Sequence, residues 1–427
     1  MKAYSAMSKE ELTKEYEKEK AAFEALKGLG LKLNMARGKP ERGQLDITTD
    51  MLTVIKTPED CMDPIDGNDA RQYGTPWGLT CCRELWAEIL GCKAENVLAA
   101  GSSSLTLMYD TVSKAVTHGL LHSDKPWKDL PKVKWLCPAP GYDRHFRICA
   151  SFGFEMIYVP MNENGPDMDV VEDLIKDEAV KGMWCVPKYS NPTGCIYSAE
   201  TIARIAKMKP AAKDFLLMWD NAYCVHEFEG DYVPFPDILS LAAENGNADM
   251  VMEYASTSKI TLPGAGIACM AGSVDNMKYL MDLWDVQSIS FDKMNQIRHV
   301  KYLKNKAGVL ELMKKHAAIL KPKFDAVLDA LDKEIAPLEF ASWNRPVGGY
   351  FVSLNVMEGT AKRTLALCKE AGVVMTAAGA TFPYGNDPHD SNVRVAPTLP
   401  PVAELEDAIK VLCVCMKLSA LEKLLGK

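Results

Sequence analysis

Phe215-Leu216-Leu217-Met218-Trp219-Asp220-Asn221-Ala222-Tyr223 and, further along, Val251-Met252-Glu253-Tyr254-Ala255-Ser256-Thr257-Ser258-Lys259 share one plan. Each is a short, unbroken apolar run that ends abruptly in polar groups capable of chemistry. A run of this length without alternation suits a strand covered on both faces, which is the situation of a parallel sheet between helices. Working outward, runs of the same kind occur at Val97–Ala100, Val133–Cys137, Glu155–Pro160, Met183–Pro187 and Ile267–Ala271. Stretches of helical period separate them. One is Ser102–Leu120, where Leu105, Met108, Tyr109, Val112 and Val116 recur on one face. The pattern predicts an α/β fold with a mostly parallel, seven-stranded sheet.

Beyond about residue 285 the texture changes. Asn295–Leu331 is rich in Lys, Leu and Ala and reads as helix, whereas Gly348-Gly349-Tyr350-Phe351-Val352 and Val393–Ala396 read as strands of another sheet. At the other end, Ser8-Lys9-Glu10-Glu11 reads as a capping box opening a charged helix that closes near Gly28-Leu29-Gly30. The expected organisation is a joining segment at 1–50, a large α/β domain at 51–300 and a small α+β domain at 301–427.

Composition bounds the function. The 427 residues are 48% hydrophobic and 25% charged with a net charge of −8, a globular chain without the basic surface that nucleic acid binding demands. Its 13 cysteines include no C-x-x-C pair, and several sit in apolar runs, as reduced cysteines of a cytoplasmic protein do. No apolar run approaches the ~18 residues of a bilayer span. His118 and His122 have helical metal-pair spacing but lack a third ligand and read as surface histidines; no metal is expected. Gly264-Ala265-Gly266 lacks the further glycine and acid of a dinucleotide site.

In open α/β sheets, ligands bind beyond the carboxyl ends of the strands. There this sequence places Gly101-Ser102-Ser103-Ser104, Tyr142-Asp143-Arg144-His145, Asn191-Pro192-Thr193-Gly194, Asp220-Asn221-Ala222-Tyr223 and Ser256-Thr257-Ser258-Lys259. Singly each is weak. The serine tetrapeptide reads more readily as an ordinary helix N-cap than as a phosphate site, and an arginine in a strand such as Arg394 more readily as a structural ion pair. Together, in this order and with Tyr73-Gly74, they resemble the class I aminotransferases, pyridoxal 5′-phosphate enzymes of fold type I. Ala36-Arg37-Gly38-Lys39-Pro40 and Ser258-Lys259-Ile260-Thr261-Leu262-Pro263-Gly264-Ala265-Gly266 resemble a divergent aspartate aminotransferase subgroup.

The resemblance implies the following roles. Lys259 forms the exchangeable imine with the cofactor and serves as general base. Asp220 pairs with the pyridine nitrogen, and His145 orients that carboxylate. Asn191 and Tyr223 bond the cofactor phenolate, Tyr142 stacks on the ring, and Asn191–Pro192 is cis. Ser102, Ser103, Ser104, Ser256 and Ser258 surround the phosphate, with Tyr73 entering from the second subunit of a homodimer. Arg394 grips the substrate α-carboxylate; Arg37, beside Gly38, with Arg144 as second choice, takes a distal one. One departure stands out: the family arginine about eight residues after the lysine is absent, and Lys293 is nominated to supply charge to the phosphate. The expected reaction is ping-pong transamination between aspartate or glutamate and a 2-oxo acid. The alternatives are a β-lyase, an aminotransferase for another amino acid, and a non-catalytic sensor.

Overall fold

The structure, a computed structural model, describes residues 2–427. In chain order its strands are β1 (Leu33–Asn34), β2 (Val97–Ala99), β3 (Lys134–Ala139), β4 (Glu155–Asn162), β5 (Gly165–Pro166), β6 (Val180–Cys185), β7 (Leu216–Asp220), β8 (Val251–Ser256), β9 (Ala268–Gly272), β10 (Ser342–Trp343), β11 (Val352–Asn355), β12 (Val373–Val374) and β13 (Asn392–Val395). Eight of them form the main sheet, in the order β2-β9-β8-β7-β6-β3-β4-β5. The chain from β4 through β3, β6 and β7 to β8 is parallel throughout. Antiparallel β9 separates β8 from β2. All seven expected strands are present, displaced by up to three residues, and the two-residue β5 adds an eighth at the edge.

Strand alternation explains how this sheet is covered. Leu217, Trp219, Val251 and Cys269 face one apolar layer, while Leu216, Met218, Met252 and Met270 face another. Both layers are dry, so these strands show no polar face and read as continuous apolar runs. Gly182 on β6 belongs to this packing. A Cβ there would lie 2.5 Å from the Leu216 carbonyl oxygen and would also collide with the Trp135 ring.

A third apolar cluster joins Phe23, Leu26 and Met35 to β11, β13 and the helix Val402–Leu425. The strand pair β1–β12 and the antiparallel sheet β10-β11-β13 belong to this part. Thus the N-terminal helix Lys9–Gly28, opened by the Ser8–Glu11 capping box as expected, packs beside the C-terminal helix.

Two local expectations are corrected. The long helical stretch is two helices, Lys293–Leu303 and Lys306–Glu334, because Lys304 adopts a left-handed φ of 67° and the Asn305 side chain caps the Gly308 amide. Gly348-Gly349 precedes β11 instead of opening it: a Cβ on Gly348 would lie 2.5 Å from the Tyr189 ring, so these glycines let the backbone cross that ring. His118 and His122 are surface histidines, both exposed, and the helix that precedes them ends at Thr117.

Gly182→Ala is expected to destabilise the protein by about 2 kcal/mol or more, because backbone and indole must both move. A thermal melt showing an unchanged midpoint would contradict the packing described for β6.

Candidate active site

The parallel strands deliver their polar termini to one edge. Tyr142 follows β3, Asn191 follows β6 by a short loop, Asp220 ends β7, and Lys259 follows β8. These four, with Tyr223, Arg37, Gly38, Arg144 and Arg394, line one cavity of about 450 Å³. Segment 33–39 reaches it because β1 pairs with β12 and the Thr376 hydroxyl donates to the Ala36 carbonyl at 2.7 Å.

Asp220 is buried. One carboxylate oxygen, Oδ2, is 3.0 Å from His145 Nε2, and that imidazole stacks on Trp184 with ring centres 4.3 Å apart. The other oxygen, Oδ1, is buried with no hydrogen-bond partner. A buried carboxylate oxygen left bare costs free energy, so the site is built to receive a donor there.

Lys259 lies over the Tyr223 ring, its Nζ 4.9 Å from the ring centre, and has no hydrogen bond or ion pair among the described residues. Burial holds its pKa below the ordinary lysine value, opposed in part by the Asp220 charge. Burial likewise pushes the Tyr142 phenol up to about 12 and the Tyr223 phenol well above its usual value, with the Asp220 charge adding to both. The amine therefore gives up its proton more readily than a free lysine, while the phenols hold theirs as donors.

Arg394 is buried on β13, its guanidinium 4.8 Å above the Phe351 ring, against which Gly38 also packs. It donates through Nη1 to Asn191 Oδ1 at 3.2 Å and to Asp143 Oδ1 at 3.1 Å, and through Nη2 to Thr376 Oγ1 at 3.2 Å. Around the mouth stand Arg37, Lys39, Arg144 and Arg147, none with an ion-pair partner among the described residues. The salt bridge that would make Arg37 a purely structural residue is not formed. Lys39, Arg147, Asp143 and Thr376 were not singled out from sequence. Arg147 was accessible to that reading, as it follows Arg144 by one helical turn on Asp143–Ser151.

The serines lie apart from this cavity. Ser103 precedes the helix Ser104–Thr117, yet its side chain makes no capping bond, so the ordinary N-cap reading does not hold and the helix amides stay free for an anion. Ser256 Oγ donates to Ser258 Oγ at 3.0 Å just beyond β8. Tyr73 is 83% exposed on the surface. Lys293 is buried, and its amine donates to the carbonyls of Tyr73 and Gly74 at 3.2 and 2.7 Å. Two of its three donors thus hold the loop that carries Tyr73. Asn191–Pro192 is cis, as expected, and so is Ala139–Pro140.

Beside Asp220, Asn221 Nδ2 donates to Glu253 Oε1 at 2.9 Å, leaving Asn221 Oδ1 and Glu253 Oε2 buried and unpartnered. Burial pushes the Glu253 carboxyl up to about 8. A protonated acid here would donate to the amide oxygen and close a two-bond ring.

A family described as Aspartate amino-transferase matches residues 7–427. An aspartate aminotransferase of Corynebacterium glutamicum is 45% identical over 403 residues, covering 94% of this chain and 93% of its own. A Mycolicibacterium smegmatis protein described as an aminotransferase is 44% identical, covering 99% of each chain. The crystal structure of an aspartate transaminase from C. glutamicum superposes with a TM-score of 0.95 at 44% identity, covering 97% of each chain. The α-aminoadipate aminotransferase of Thermus thermophilus, solved with N-(5′-phosphopyridoxyl)-L-leucine, shares the fold at 22% identity and a TM-score of 0.72.

Glu253 binds a proton in the folded state at pH values where the unfolded chain has lost it. Its stabilising share is full below the free value of 4.5 and fades as pH rises toward about 8. Glu253→Gln should keep the Asn221 bond and flatten this decline, seen as a smaller fall in melting temperature across that window. An identical pH profile in the variant would show that Glu253 does not titrate as described.

Proposed function

The chain belongs to the aspartate amino-transferase family, and on that premise we propose that it moves the amino group of aspartate or glutamate to 2-oxoglutarate or oxaloacetate in a ping-pong cycle. It is an aminotransferase whose cofactor is pyridoxal 5′-phosphate. Three features fit that cofactor: the bare buried Oδ1 of Asp220 for a protonated ring nitrogen, the partnerless amine of Lys259 for an aldehyde, and the uncapped helix at Ser103 for a phosphate. When bound, the group supplies a carbonyl for amine exchange and a ring that accepts an electron pair.

The observation that carries the substrate class is the excess of cations over the cavity: Arg394 at its base and four unpaired cations at its mouth. Arg394 takes the α-carboxylate through its planar fork, and Arg37, with Lys39, Arg144 and Arg147 at hand, takes the distal one. Lys259, its proton loosened by burial, would take the substrate α-proton and pass it to the carbon that was the cofactor's aldehyde. Asp220, oriented by His145, holds the proton on the ring nitrogen, while Asn191 and Tyr223 donate to the ring oxygen and Tyr142 packs on its face. Ser102, Ser103, Ser104, Ser256 and Ser258 bind the phosphate. Lys293, beside the loop that carries Tyr73, supplies positive charge to the phosphate, and Tyr73 enters from a second subunit, so we further propose a homodimer with shared sites. Exposed Leu52, Ile65 and Val286 support an interface. The division at 1–50, 51–300 and 301–427 and a cytoplasmic location complete the reading, the latter supported by 13 free cysteines.

The test follows the visible absorption of the cofactor-loaded enzyme. L-Aspartate should bleach the band and 2-oxoglutarate should restore it; a band indifferent to both dicarboxylates defeats the substrate class. Pyruvate and ammonia released from a cysteine-type substrate would favour the β-lyase reading, and binding without turnover the sensor. Arg394→Ala should lower kcat/KM by roughly 100-fold, the equivalent of about 3 kcal/mol for a charged bidentate contact. Lys259→Ala should lose covalent attachment of the cofactor and about 10⁴-fold in kcat.

A further inference from the structure

Asp143 is the anomalous group of the cavity. Among cations gathered for carboxylates it contributes a carboxylate of its own, with Arg394 as its only side-chain partner among the described residues. Asp220, the other acid lining the cavity, is buried and held by His145, whereas the Asp143 side chain is 27% exposed.

The donors of Arg394 show what this means. Both hydrogens of Nη1 are committed, to Asn191 and to Asp143, and one of Nη2 goes to Thr376. Nε is buried and has no partner among the described residues. A carboxylate that approaches the guanidinium end-on needs one donor from Nη1 and one from Nη2. Asn191 is buried and Thr376 half-buried, both are neutral, and Thr376 is also tied to the Ala36 carbonyl. Asp143, at the first turn of the helix Asp143–Ser151, is the partner free to leave.

We propose that Asp143 is an internal stand-in for the substrate carboxylate, holding Arg394 in the empty site and yielding it when an amino or oxo acid binds. This rests on the reading of Arg394 as the carboxylate-binding residue. Binding is then an exchange of one carboxylate for another on a buried cation, which is never left unpaired. The exchange also sets specificity. A ligand must outcompete a tethered anion, so an amine without a carboxylate gains nothing from Arg394 and does not displace Asp143.

The experiment measures the dissociation constant of a non-reacting four-carbon dicarboxylate, maleate, from the change it causes in the visible band of the cofactor-loaded enzyme. Asp143→Asn and Asp143→Ala should each bind it about three- to tenfold more tightly than the parent, because the competitor is gone. Weaker binding in both variants would overturn the proposal and make Asp143 a positioning residue that aims the guanidinium. Unchanged binding in both would overturn it as well. Arg394→Ala separates the two readings. If it abolishes maleate binding while Asp143→Asn weakens it, only the exchange fails; if Arg394→Ala binds as the parent does, the assignment of Arg394 fails first.

Discussion

The site is organised by one electrostatic debt. The Asp220 carboxylate closes a strand of five buried residues, and only one of its oxygens is satisfied within the protein. A bare anion in such a place is tolerated only where a partner is to arrive. His145 fixes which oxygen is left free, Trp184 fixes His145 by stacking on it, and Trp184 is itself part of the apolar layer on one face of the sheet. The same anion works against the burial that depresses Lys259 and adds to the rise of the Tyr142 and Tyr223 phenols. Packing of the sheet and protonation at its edge are in this way one arrangement.

Most of the sheet could be read from the chain because both faces are dry. Residues such as Leu216 and Leu217 go to opposite layers, yet both are buried, so each strand announces itself as an apolar run and its polar terminus marks the ligand edge. Of the residues at those termini, Tyr142, Asn191, Asp220, Tyr223 and Lys259 line one cavity, while the serines lie apart from it. What escaped is set by tertiary contact. Nothing in Lys293 reveals that its amine will be spent on two carbonyls of a loop far away in sequence, and nothing in Asp143 reveals Arg394. Nor does Gly348 show, in isolation, that it is small so that the backbone can pass Tyr189. The break at Lys304 was similarly hidden, since helix propensity on both sides is high and one cap decides the outcome.

The cavity also separates two kinds of cation. Arg394 is buried, lies over the Phe351 ring and is hydrogen-bonded to three side chains, so its direction is fixed before any ligand arrives. Arg37, Lys39, Arg144 and Arg147 stand at the mouth without ion-pair partners among the described residues. A fixed guanidinium suits the carboxylate common to every substrate, whose position relative to Lys259 must not vary. Unpaired cations at the mouth suit a distal group whose distance changes with side-chain length.

The absent family arginine has a steric explanation in this chain. The segment after Lys259 turns back tightly: the Asn295 amide donates to the carbonyls of Ala265 and Gly266, and a Cβ on Gly266 would lie 2.9 Å from Thr257 Oγ1. Ile267, the eighth residue after the lysine, is directed into the apolar layer beneath the sheet edge. A cationic side chain at either place would have to enter that layer or force Thr257 aside, and Thr257 Oγ1 in turn accepts from the Ile267 amide and meets His299. The glycine turn and the helix Lys293–Leu303 are therefore fitted to each other. Arg298, whose guanidinium is held on the Asn295 side chain with its Nε buried and unpartnered, is the cation that this clamp brings to the glycine turn.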